Sequence, residues 1–131
     1  AHYVSQMPEG IELTKLVFFS EPIRRDEIVT RLKAEFPEFN CVGTTPNYSE
    51  VLPPGISKGF ALGKLAKFVG VDMESIVTVG DAPNDIEMIR EAGLGAAVEN
   101  ADDCVKTEAD IIVKTVGTGG IAELISIAFG L

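Results

Sequence analysis

Two short stretches combine residue types suited to handling charged oxygen ligands. The first is Gly80-Asp81-Ala82-Pro83-Asn84-Asp85. Asp81 follows directly on the apolar run Ile76-Val77-Thr78-Val79 and precedes a helix signal. Its carboxylate is therefore expected at the carboxyl end of a strand, where α/β sheets bind ligands. Asn84 and Asp85 fall in the first turn of the following helix. Two carboxylates and an amide at this spacing suit a hard cation such as Mg²⁺, which keeps waters and takes few protein ligands. Helix capping is the ordinary alternative use of the same residues, for Asp85 above all.

The second stretch is Ser57-Lys58-Gly59. Lys58 is expected in the first turn of a helix, where a cation opposes the macrodipole at a cost of ~0.3–1 kcal/mol. An anion bound beside it would reverse that cost. Gly59 would allow close backbone approach, which suits a phosphate. Taken alone, Lys58 is better accounted for as a solvated lysine in a tolerant position. Lys64 and Lys67 read as surface. A metal-binding carboxylate together with a phosphate-holding lysine serves phosphoryl transfer, where positioning and charge neutralisation dominate.

The elements that must position these residues alternate along the chain. Lys15–Ser20 reads as a strand. Asp26–Phe36 reads as a helix with Val29, Leu32 and Phe36 on one face, stopped by Pro37. Asn40–Thr44 and Tyr48–Leu52 read as short strands about the Pro46-Asn47 turn. Pro53-Pro54-Gly55 is a connector and a candidate domain boundary. Ser57 is expected to cap a helix that runs to Val69 with a stripe of Leu62, Leu65, Ala66 and Val69, closed by Gly70. Strands are then expected at Ser75–Gly80, Leu94–Val98 and Asp110–Val113. Helices are expected at Pro83–Ala92, Ala101–Thr107 and Gly119–Ile127. Such alternation predicts an α/β fold, a parallel sheet with helices on both faces.

Composition bounds the rest. The chain has 131 residues, 46% hydrophobic and 24% charged, enough for a core and too apolar for disorder. Its formal charge of −9 argues against nonspecific binding to nucleic acid or to an anionic membrane. Residues 81–110 carry nine acids against Arg90 and Lys106, a net −7 within one segment. A solvated acidic face and a cation site both fit that excess. The two cysteines, Cys41 and Cys104, have no metal-ligand spacing, and His2 is the sole histidine. These counts exclude a Cys/His zinc site, leave little room for a histidine-based triad, and favour a reducing cytoplasm. No apolar run approaches the ~18 residues of a spanning helix. The chain opens Ala1-His2-Tyr3 without a charged-then-apolar leader pattern, which leaves processing, proteolysis and truncation open.

Four runs taken together resemble one family. They are Ser57-Lys58-Gly59-Phe60-Ala61-Leu62, the stretch from Gly80 to Met88, Val98-Glu99-Asn100-Ala101, and Gly119-Gly120-Ile121. Their order and spacing over about residues 50–131 resemble the C-terminal half of Cof-type phosphatases of the haloacid dehalogenase superfamily. The resemblance implies a partial Rossmann-like core at residues 55–131. Residues 1–54 would then be the C-terminal part of an α/β cap, matched by pattern rather than motif. It implies that Lys58 binds phosphate and stabilises the nucleophile, Asp81 ligates Mg²⁺, and Asn84 contacts the phosphate. Asp85 would orient Lys58 or a metal-bound water. Asn100 would lie in a loop near the site, or serve only as a turn residue.

The implied reaction is Mg²⁺-dependent hydrolysis of a small phosphomonoester, such as a sugar phosphate, through an aspartyl-phosphate. The family's nucleophile lies in an Asp-x-Asp motif on an early strand, and a Ser/Thr motif follows on the next strand. Neither region occurs among these 131 residues. Asp72-x-Glu74 and Asp85-x-Glu87 are poor substitutes, being on turn or helix segments. The chain is therefore expected to be a fragment cut within the cap, inactive alone and weak in metal binding. Its core sheet should show an unpaired edge and exposed apolar surface, met by a companion N-terminal fragment, self-association or partial disorder.

Other classes fit less well. A phosphoacceptor receiver domain needs an acid pair on an early strand, and residues 1–50 offer none. Gly93-Leu94-Gly95-Ala96-Ala97 ends a helix and opens a strand, the reverse of a dinucleotide-binding turn. A noncatalytic binding module is the main rival, distinguished by absence of phosphatase activity even with an N-terminal half supplied.

Overall fold

The computed structural model describes Gly10 and residues 12–131; His2 lies outside them. Two three-stranded sheets account for all the strands of the described residues. The first is antiparallel. It consists of β1 (Leu16–Phe19), β2 (Asn40–Thr45) and β3 (Tyr48–Leu52) in the order β1-β3-β2. Val51 of β3 stands opposite Leu16 on one side and Cys41 on the other. Helix α1 (Arg25–Glu35) packs on this sheet against β2 and β3.

The connector after β3 leads into α2 (Lys58–Val69). Ser57 is extended, and its Oγ accepts from Phe60 N at 2.9 Å, the expected cap. Gly70 closes the helix at φ 72°. Beyond it lie β4 (Val77–Gly80), α3 (Ile86–Glu91), β5 (Leu94–Val98), α4 (Asp103–Glu108), β6 (Ile111–Val113) and α5 (Gly120–Phe129). The second sheet is parallel, in the order β4-β5-β6, and helices flank it, so the α/β class stands. β5 is its central strand, and from Gly95 to Val98 every residue is buried, as a strand covered on both faces requires. Ile89, Ala97, Val98, Val105, Val113 and Leu124 form the core around it.

Three expectations need correction. The strand expected from Ser75 starts at Val77, because Met73–Ser75 forms a 3₁₀ turn. The helix expected from Pro83 opens as a 3₁₀ turn over Pro83–Asp85 before α3 begins, because the Asp85 side chain folds back onto the preceding backbone. The stripe expected on α2 is not a buried stripe: Ala66 is buried and Leu62 half-buried, but Leu65 and Val69 are exposed. Gly59 and Ala66, both small, are the buried residues of α2, and Gly59 meets Glu87 where α2 packs on α3. Val77 and Ile112, on the two outer strands of the parallel sheet, are likewise exposed.

Candidate active site

β4 ends at Gly80, and the chain turns sharply to make the site. Asp85, 3% exposed, is its centre. Its Oδ2 accepts from Asp81 N at 3.0 Å and Ala82 N at 3.2 Å, and its Oδ1 is ion-paired with Lys58 Nζ. Three donors thus compensate a carboxylate removed from water, which burial of a charge requires. Lys58 itself stays half exposed. The pairing joins residues 27 apart in sequence, bringing both chemical stretches together at the strand's carboxyl end.

Gly80 makes this turn sterically feasible. A Cβ there would collide with Asp85 Cβ and lie 2.7 Å from its Cγ. The motif's residue types and spacing alone do not reveal this role of Gly80. Gly59 differs from its expected use. The space a Cβ would occupy there is taken by Glu87, whose Cγ would lie 2.5 Å away, so this glycine serves helix packing rather than phosphate approach.

Asp81 is exposed, and its backbone is anchored on both sides: its N–H donates to Asp85, and its carbonyl accepts from Asp102 N at 2.9 Å. Asp81, Asp85, Lys58 and Asn100 line one cavity of about 350 Å³. Asn84 lines a larger one of about 700 Å³, with Lys58 at its edge as well. The Asn84 Oδ1 is buried without a hydrogen-bond partner. That oxygen is an acceptor and calls for a donor, so a phosphate could be met only by the Asn84 Nδ2 donors.

Among the described residues no group of three His, Cys, Asp or Glu converges on a metal position. Asp85 is committed to Lys58 and two amides, which leaves Asp81 as the available carboxylate of the motif. One carboxylate at an exposed strand end fits Mg²⁺ as a partial ligand set, since that ion keeps several waters.

The larger cavity also has a wall that sequence reasoning missed. Asp26, Val29, Thr30 and Lys33 of α1 line it, with Arg25 at the helix start. Their i, i+3, i+4, i+7 spacing was the available signal. The Arg25 guanidinium donates to Asp26 Oδ1 at 2.9 Å and reaches Asp102 Oδ2 at 3.6 Å, linking α1 to the loop that anchors Asp81. Cys41 lies between the lining residues Asn40 and Val42 of β2 but does not line the cavity itself, and burial pushes its thiol up despite the opposing charge of Lys33. Arg90 also lines this cavity. It donates to Glu108 Oε2 at 2.6 Å, a bond that holds the Glu108 carboxyl below its ordinary range and the guanidinium above its own.

The acid turn thus follows an outer strand of the parallel sheet, β4, and Lys58 of α2 is ion-paired to its second acid. Residues 3–125 match the haloacid dehalogenase-like hydrolase family, and the chain belongs to it. It is 37% identical over 123 residues to a 5-amino-6-(5-phospho-D-ribitylamino)uracil phosphatase of Bacillus subtilis, covering 92% of this chain and 49% of that protein. It is 41% identical over 128 residues to a phosphoglycolate phosphatase of Methanosarcina acetivorans, covering 92% and 57%. Among solved structures, a HAD/COF-like hydrolase from Plasmodium vivax superposes with a TM-score of 0.82 at 27% identity, covering 90% of this chain and 42% of that one. The chain spans about half the length of the curated relatives it matches. No helix of the described residues is long and apolar enough to cross a membrane.

Proposed function

We propose that this chain forms the phosphate-binding and metal-binding side of a Mg²⁺-dependent phosphomonoester hydrolase acting on small phosphorylated metabolites. The observation that carries the reading is the Lys58–Asp85 pair set between the amides of Asp81 and Ala82. It holds an ammonium at a fixed place on the two cavities, one lined also by Asn84 and the other by Asp81. The family membership and the printed activities of the relatives support it.

In this reading Lys58 and Asn84 bind the phosphate. Asp85 acts as a positioning residue: it aims the Lys58 ammonium. Asp81 gives one oxygen to Mg²⁺, which when bound neutralises charge on the transferring phosphoryl group. The attacking aspartate comes from outside these 131 residues, which contain no Asp-x-Asp. Residues 1–54 serve as part of a cap and residues 55–131 as part of the core, so these residues alone do not complete the covalent step.

The test is kinetic, in the protein together with the segment bearing the nucleophile. Asp81→Asn should raise the Mg²⁺ concentration needed for half-maximal turnover and lower kcat by about 10²-fold or more, as loss of a charge-neutralising group does. Unchanged Mg²⁺ dependence in Asp81→Asn would remove Asp81 from the metal site.

A further inference from the structure

The chain carries 11 Lys and Arg against 20 Asp and Glu, yet four of those cations line the larger cavity: Arg25, Lys33, Lys58 and Arg90. Three have a carboxylate partner. Lys58 holds Asp85, Arg90 holds Glu108, and Arg25 holds Asp26. No ion pair of the described residues engages Lys33. Of the carboxylates on the cavity wall, Asp26 and Glu50 are already neutralised, Glu50 by Lys15 at 2.7 Å. The third, Glu87, leans on Gly59 at the contact of α2 with α3. The cavity therefore has one cation for the phosphate, Lys58, and one more, Lys33, that no carboxylate of the described residues pairs.

Lys33 does not stand alone on its helix. It shares the cavity-lining face of α1 with Thr30 and Asp26, a face about 10 Å long at the helical rise per residue. Thr30 adds a hydroxyl able to donate or accept. A lysine and a hydroxyl one turn apart make a carboxylate receptor, because an ammonium paired to a carboxylate gains charge-assisted bonds that a neutral hydroxyl cannot match.

We propose that Lys33, with Thr30 beside it, receives a carboxylate on the leaving portion of the phosphomonoester, so that the site selects phosphorylated hydroxy acids over phosphorylated alcohols. This rests on the reading that Lys58 and Asn84 hold the phosphate.

The experiment titrates the 131-residue chain with three probes while following its backbone amide resonances: inorganic phosphate, glycerol 3-phosphate and 3-phosphoglycerate. The last two share a three-carbon skeleton and differ in one carboxylate. 3-Phosphoglycerate should bind about tenfold tighter than glycerol 3-phosphate, the worth of one charge-assisted bond. It should shift amides on α1 as well as around Lys58. Lys33→Met, an exposed helix substitution, should abolish that preference while leaving the affinity for inorganic phosphate unchanged. Equal affinities for the two esters, with inorganic phosphate still shifting the amides about Lys58 and Asn84, would overturn the carboxylate receptor and leave the phosphate site standing. A preference that persists in Lys33→Met would overturn the assignment of Lys33. If inorganic phosphate shifts no amide near Lys58 or Asn84, the phosphate reading fails, and this inference fails with it.

Discussion

The pair of Lys58 and Asp85 invites a double-mutant cycle, because its two ends sit in different environments. The Asp85 side chain is 4% exposed and the Lys58 side chain 50% exposed. Fully exposed pairs contribute about 0–1 kcal/mol, whereas removing one partner of a buried pair costs about 3–5 kcal/mol. Lys58→Met leaves a carboxylate in the interior with two amide donors and no cation. Because solvent still reaches the ammonium end, the loss should fall between those limits, at about 2 kcal/mol. Asp85→Asn keeps one oxygen for the Asp81 and Ala82 amides but gives up the charge. The Lys58 ammonium can then hydrate, so about 1–2 kcal/mol is expected. The double variant removes charge from both ends and leaves no uncompensated carboxylate. It should be more stable than the sum of the singles implies, with a coupling of about 1–2 kcal/mol. Urea unfolding of the four proteins, with slopes compared as well as midpoints, measures this. A coupling below about 0.3 kcal/mol, the range of independent sites, would refute the claim that Asp85 and Lys58 form one unit.

Other outcomes follow from the same geometry. Gly80→Ala places a Cβ against the Asp85 side chain and should cost about 2–4 kcal/mol in urea unfolding, the range of severe overpacking. Wild-type stability in Gly80→Ala would show that the turn relaxes freely. Thiol titration should find Cys104, which is exposed, reacting at once, while Cys41, 1% exposed and with its thiol pushed up by burial, reacts only on unfolding. The Glu108 carboxyl titrates below its ordinary range in the folded chain, first through its hydrogen bond from Arg90. Its contribution is therefore complete above the unfolded value near 4.5 and is lost as pH falls through the lower folded one. Glu108→Gln should flatten that acid-side decline in the urea midpoint, and an identical decline in the variant would exclude this bond as a cause.

Much of the molecule follows from local signals. Ser57 caps α2 and Gly70 ends it, because an extended serine and a left-handed glycine satisfy helix ends wherever they occur. β5 runs from Leu94 to Val98 as expected, because a continuous apolar run of small and branched residues suits a strand buried on both faces. Both chemical stretches could be singled out for the same reason: an acid after an apolar strand and a lysine in a first helical turn are each conspicuous in one dimension.

Contacts between distant segments were not legible. The sequence marked Asp85 for capping, metal work or orienting Lys58 alike, and only the fold seals it beneath Lys58 and two amides. Gly59 reads from its type only as room for a phosphate to approach, and the close approach of Glu87 to it across the helix pair could not be read from the chain. Periodicity made Leu65 and Val69 part of a buried stripe, but periodicity reports which residues share a face, not what lies against it. The wall of α1 across from Lys58 depends on how the antiparallel sheet is set beside the parallel one. No local propensity specifies that placement; it comes from packing between surfaces far apart in the chain.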